Sequence, residues 1–142
     1  MKINNTTLSG VRPGKGFRDE LASPAPLKDF VTNESRLENG KRVMYSSPKL
    51  ASRTFNLEFQ ITGNSKAQYK QNLDAFYAEL YKGEITLEAS EFHELWHVVN
   101  NVNTPMVFHL TYMGKTPTYS SGLSGCASKI KVSFEEPNPA NR

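Results

Sequence analysis

Residues Phe92 to His97 read Phe-His-Glu-Leu-Trp-His. His93 and His97 stand four residues apart, so a helix would place them on one face, one turn apart, as two imidazole ligands of one metal ion require. Glu94 beside them would serve as the general base that takes a proton from a zinc-bound water, and the chemistry would be peptide-bond hydrolysis. The local sequence offers a helix for this purpose over residues 91–100. Ser90 is the expected cap and Glu91 suits the positive end of the dipole. Phe92, Leu95, Trp96 and Val99 would form the apolar face.

Over those five residues and their apolar flanks the sequence resembles the general signature of zinc peptidases. The resemblance implies three protein ligands and a fourth position left to water. The third ligand is where the sequence departs from the pattern. Relatives with an extended motif continue with a glycine and a third histidine, at positions held here by Asn100 and Asn103. Thermolysin-like relatives take a carboxylate from a later segment, yet no Asp or Glu stands between Glu94 and Glu135. His109 is the nearest remaining candidate, on an expected strand between Val107 and Thr111. Glu135 and Glu136 would have to return from the last strand. A five-residue pattern with three fixed positions recurs by chance in on the order of one chain in a few hundred of this length, so it decides nothing alone. The expectation is a short helix over 91–100 that packs by its apolar face while both histidines face solvent, with no catalytic residue, no metal and no cofactor. The alternative is a zinc metallopeptidase with Glu94 as base and His93, His97 and His109 as ligands.

Other nucleophiles have less support. Ser120, Ser121 and Ser124 lie in a Gly/Ser-rich stretch without the Gly-x-Ser-x-Gly elbow of a serine hydrolase. Cys126 has no histidine placed beside it by spacing and reads as a half-buried structural residue. Gly14-Lys15-Gly16-Phe17 lacks the Lys-Ser/Thr that completes a phosphate loop and reads as a turn.

Composition narrows the classes further. A chain of 142 residues fits one domain over 1–142 and is long enough to bury a core. With a single cysteine, no intrachain disulfide can form and the fold must stand on packing. The net charge of +3 comes from scattered basic residues rather than a stripe, which argues against a nucleic-acid-binding face. The segment MKINNTTLSG has no apolar core of a signal peptide, and no run reaches the ~18 apolar residues of a membrane span. The expected setting is cytoplasmic at synthesis.

The elements follow from periodicity. A short strand is expected over 2–9, then an irregular connector over 10–28, where Gly and Pro cluster, and a further short strand over 27–32. Asn39-Gly40 supplies a tight turn. Phe55, Leu57, Phe59 and Ile61 alternate with polar residues, the pattern of a strand with one buried face. Ser65-x-x-Gln68 reads as a capping box that opens a helix over 65–82. Tyr69, Leu73, Phe76, Tyr77 and Leu80 form its stripe, and Gly83 ends it. Strands are expected at Ile85 and Leu87, over 106–112 and over 128–135, with a flexible loop over 113–127; the prolines at 137 and 139 stop further pairing. The fold class is α+β: a mainly antiparallel β-sandwich or partly closed β-barrel with one flanking helix.

Placed in that order, SRLENGKRVMY at 35–45, SRTFNLEFQITG at 52–63, QYKQNLDAFYAELYKGEITL at 68–87 and KIKVSFEEPNPANR at 129–142 resemble small tail proteins of phages and prophages, in particular those of gut Bacteroides-type bacteria. The resemblance is to distal tail and tail-tube proteins and leaves out residues 90–104, where the histidines lie. It implies a non-catalytic β-sandwich or barrel that assembles into a ring, commonly a hexamer. Its implied partners are other copies and other tail proteins, with DNA as transient cargo in the channel and no membrane. Its implied place is the virion tail, after assembly in the cytoplasm of the bacterial host. The stretches 10–28 and 113–127 are the expected contact segments.

Overall fold

The computed structural model describes residues 1–122 and 125–142. In chain order the elements are β1 (Lys2–Ile3), β2 (Val11–Pro13), α1 (Phe17–Ala22), β3 (Val31–Asn33), β4 (Arg42–Met44), β5 (Arg53–Thr62), α2 (Lys66–Leu80), β6 (Glu84–Glu88), β7 (Trp96–Val99), β8 (Val102–Pro105), β9 (Val107–Tyr112), β10 (Thr118–Ser121) and β11 (Ala127–Glu136), with a 3-10 turn at His93–Leu95. The fold is a β-rich α+β arrangement with antiparallel pairing throughout. Six strands run in the order β1-β6-β9-β11-β5-β2, and β10 joins them along β11. The sheet does not close into a barrel, since β1 and β2 end the order on opposite sides. Two separate ribbons, β3–β4 and β7–β8, complete the strands.

The central pair is β5–β11, in register from Arg53↔Glu136 to Thr62↔Ala127. Alternation turns Phe55, Leu57, Phe59 and Ile61 of β5 inward beside Ile130, Val132 and Phe134 of β11. One edge of β11 is shared: β10 pairs with Ser128–Lys131 and β9 with Phe134 and Glu135. Helix α2 covers the inner face with Tyr69, Leu73, Phe76 and Leu80. Its start is the expected cap with one variation. Ser65 Oγ accepts from the Gln68 N–H at 3.2 Å, while Gln68 Oε1 accepts from the Asn64 N–H at 2.9 Å rather than from the cap residue itself. Gly83 follows the helix at φ 84°, a conformation that costs a residue with Cβ.

Phe59 joins the layers. Its ring centroid lies 5.4 Å from Phe17 of α1, 5.0 Å from Phe76 of α2 and 6.3 Å from Phe134 of β11. The segment expected as an irregular connector therefore carries β2 and a second helix, α1, whose Phe17 and Leu21 are fully buried. The first strand is shorter than expected, because Asn4 and Asn5 turn at positive φ. The third lies at 31–33 instead of 27–32, and Leu27 makes only an isolated bridge to Leu50. The stretch 113–127 holds β10, anchored where the Tyr69 and Tyr119 hydroxyls meet at 2.9 Å.

At one end of the central pair the inward positions carry charge. Glu136 is completely buried and Arg53 nearly so. Arg53 Nε donates to Glu136 Oε2 at 2.5 Å, and Arg142 donates to both carboxylate oxygens, at 2.9 Å and 3.0 Å. The remaining Arg53 N–H groups reach the carbonyls of Glu20, Leu21 and Ser23, at the end of α1. A cation there satisfies carbonyls that a helix end leaves open. Removing the carboxylate would leave a buried guanidinium uncompensated, at a cost of about 3–5 kcal/mol. Glu136→Ala is therefore expected to lower the urea unfolding free energy by about that amount, against less than about 1 kcal/mol for the outward-facing Glu135→Ala. A loss below about 1 kcal/mol in Glu136→Ala would show that the pair is dispensable.

Candidate functional site

The helix expected over 91–100 does not form. His93 and Glu94 lie in the 3-10 turn and His97 in β7, which pairs with β8 through Trp96↔Pro105, His97↔Thr104, Val98↔Asn103 and Val99↔Val102. Asn100 and Asn101 make the turn between them at φ 51° and 61°, the two positive values that a two-residue hairpin loop needs and that Asn tolerates. Valines at 98, 99 and 102 add β-branched side chains that favour strand over helix. Ser90 caps nothing here; its carbonyl accepts from the Trp96 indole at 2.9 Å.

The metal constellation comes apart accordingly. His93 is exposed, with its ring 6.2 Å from that of Trp96, and His97 is half-buried across from Thr104. Glu94 Oε1 lies 3.6 Å from Arg18 Nη1, an exposed pair. His109 sits on β9 across from Thr86, in a depression of about 310 Å³ lined by Glu84, Thr111, Asn138 and Asn141. Glu136 is engaged by two arginines and Glu135 faces outward. Among the described residues no three His, Cys, Asp or Glu side chains converge on a site that could hold a metal ion.

The other sequence candidates are equally dispersed. Ser120 and Ser121 lie on β10 beside a cleft of about 390 Å³ whose lining, among the described residues, contains Lys129 but no histidine and no carboxylate. Ser124 lies outside the described residues. Cys126 is half-buried and its carbonyl accepts from the Gly63 N–H. Lys15 and Gly16 lead into α1. No helix among the described residues is long and apolar enough to cross a membrane.

A surface without partners stands out instead. None of residues 22–52 is buried, and β3 and β4 pair only with each other. They form an arm closed at its base by the Leu27–Leu50 bridge and the Lys28 N–H bond to the Lys49 carbonyl at 2.8 Å. Gly40, at φ 71°, lies in the loop at its tip, where the Asn-Gly turn was expected. Val31 is 67% exposed, Met44 58%, Tyr45 70% and Leu37 95%. These apolar side chains lie on a ribbon that no other strand of the described residues joins. The strands are joined by a loop over 34–41 rather than by the tight Asn39-Gly40 turn expected, and nothing in a local pattern says which strands a ribbon will fail to meet.

No family model and no curated protein matches the chain. Among solved structures it is similar to the crystal structure of the Dit protein (gp 19.1) of phage SPP1, described as a paradigm of the hub adsorption apparatus in phages infecting Gram-positive hosts. The identity is 12% and the TM-score 0.48, over 94% of this chain and 44% of that one. The chain thus spans less than half the length of that protein.

The dispersal of the histidines has a measurable consequence. Protein purified without a histidine tag is expected to lose any zinc on dialysis against a chelator. Its unfolding midpoint should then move by less than about 1 °C when equimolar zinc is restored, since only a ligand bound tightly by the native state raises it. Zinc retained at one per chain would restore the metal reading, with Glu94→Gln as the next variant.

Proposed function

We propose that this chain is a structural, non-catalytic component of a phage or prophage tail, of the distal-tail or tail-tube kind. In this reading residues 1–142 act as a single tail-protein domain that self-assembles into a ring, commonly of six copies. Other tail proteins stack on the ring and DNA passes through it without being held. It works in the virion tail, after assembly in the cytoplasm of the bacterial host, and needs no membrane, metal or cofactor.

The observation that carries this reading is the β3–β4 arm. A two-stranded ribbon is marginal in water by itself, and no residue of this one is fully buried. Burying one such apolar side chain in a partner contributes roughly 1.5–3 kcal/mol. An element of this kind makes physical sense when another molecule covers it. The sequence resemblance to tail proteins, which takes in residues 35–45 of the arm, supports the same conclusion. Among the described residues no third ligand joins His93 and His97, which leaves the peptidase alternative without support.

Light scattering after size exclusion tests it, using the full chain and a variant in which residues 29–48 are replaced by Asn-Gly. Lys28 and Lys49 are already hydrogen-bonded neighbours, so a two-residue turn can close the shortened arm. The full chain is expected to form a discrete ring at high concentration. The shortened chain should remain folded and monomeric, because no deleted residue is buried. A full chain that stays monomeric up to about 1 mM, a weak-binding threshold, would overturn self-assembly. Rings formed by the shortened chain would remove the arm from the contact.

A further inference from the structure

We propose that the arm of one copy docks on the β6–β9 end of the outer sheet face of a second copy, basic side chains of the arm meeting Glu84, Glu88 and Glu135. This rests on the self-association reading and specifies its geometry.

The arm carries five basic residues between 24 and 52, Lys28, Arg36, Lys41, Arg42 and Lys49, against the acids Asp29, Glu34 and Glu38, a net +2. Arg42 is engaged by Glu38 within the arm. Lys28 and Lys49 lie side by side at its base, next to the exposed Leu27 and Leu50.

The receiving surface follows from register. Because Ile85, Leu87, Phe108, Leu110 and Phe134 point inward, the residues between them point outward. Glu84 pairs with Thr111 and Thr111 with Glu135, so three strands place two carboxylates in one outward row. Glu88 lies further along β6, across from Lys2, and Lys115 shares a depression with Thr54, the β5 partner of Glu135. Among the described residues Glu84, Glu88 and Glu135 take no ion pair, whereas Glu79 is held by Lys82, Glu91 by the Met1 amine and Glu94 by Arg18. The opposite end of the same face is mainly basic, with Lys129 and Lys131 on β11 and Arg12 across from Gln60, against the single carboxylate of Glu58 across from Lys131. A basic arm is attracted to one end of this face and repelled by the other, which fixes where and which way round it lies. Exposed apolar surface adjoins the acidic end at Met113, which follows Thr111 in the outward phase and whose N–H donates to the Ser133 carbonyl.

Arm and receiving face are different surfaces, so the contact is head-to-tail. Such a contact propagates from copy to copy and closes into a ring when the rotation permits.

Two reversed variants test the pairing. Lys28→Glu/Lys49→Glu makes the arm acidic, and Glu84→Lys/Glu135→Lys makes the receiving row basic. None of these side chains is fully buried, and an unchanged thermal midpoint confirms folding; Glu84→Lys alone serves if the double variant unfolds. Each variant alone is expected to associate at least about ten-fold more weakly than the natural chain. An equimolar mixture of the two should regain association, because each then offers an arm opposite in charge to the other's receiving row. Wild-type-like association of either variant alone would overturn this docking and leave self-assembly standing. Loss in both without rescue on mixing would overturn the pairing of these residues. A natural chain that never associates would overturn both the docking and the reading beneath it.

Discussion

A carboxylate held between two guanidinium groups inside the core sets the terms for the rest of the molecule. Arg53 and Glu136 are register partners at the end of β5–β11, so the strand pairing itself brings the charges together. A slip by one residue would turn Glu136 to solvent and leave Arg53 buried without its partner. The same guanidinium takes the carbonyls at the end of α1 and lies 4.8 Å over the Phe55 ring, while Arg142 brings the C-terminal residues back over Phe108 at 5.0 Å. Apolar residues of similar volume would be no less stable at such a site. What the ionic network adds is a single permitted alignment of two strands, one helix and the tail.

Once that alignment is fixed, the chain divides into a body that is over-determined and an arm whose two strands pair with each other and with no strand of the body. Phe59 is touched by rings from α1, α2 and β11, so each layer constrains the others. Along the arm the corresponding aromatic contact is one pair, the half-buried Phe30 with the exposed Tyr45 at 5.2 Å. Local opening is cheapest where few apolar contacts oppose it, so the arm is the part most readily reshaped by a partner.

The sequence was readable where one period ruled. β5, α2 with its serine cap, β6, β9 and β11 all follow from alternation or from three- and four-residue steps. Two failures show what interferes. At 92–99 the apolar spacing suits a helix, but three valines and an Asn-Asn pair favour a hairpin, and the turn chemistry prevailed. With the helix went the geometry that sets His93 and His97 one turn apart, close enough to share an ion, so a pattern of residue types lost its chemical meaning. At 17–22 the helix is six residues long among glycines and prolines, and burial of Phe17 and Leu21 together with the Arg53 bonds to its last carbonyls sustains it. Arg53 and Glu136 were hidden differently: they stand in the inward phase of strands whose other inward residues are apolar, and nothing in either strand alone pairs them.

The charge distribution was hidden for a related reason. Along the chain the basic residues look scattered, and the argument against a nucleic-acid-binding stripe rests on that scatter. Folding sorts them by register, not by proximity in sequence. Glu84 and Glu135 are 51 positions apart and lie in one row because β9 stands between their strands. Lys129 and Arg12 are drawn to the other end of the same face through β5. A sheet whose outward face is acidic at one end and basic at the other cannot be matched equally well by any partner in both orientations. Polarity of that kind gives a repeating assembly its direction, and it emerges from the strand order rather than from any run of charge in the sequence.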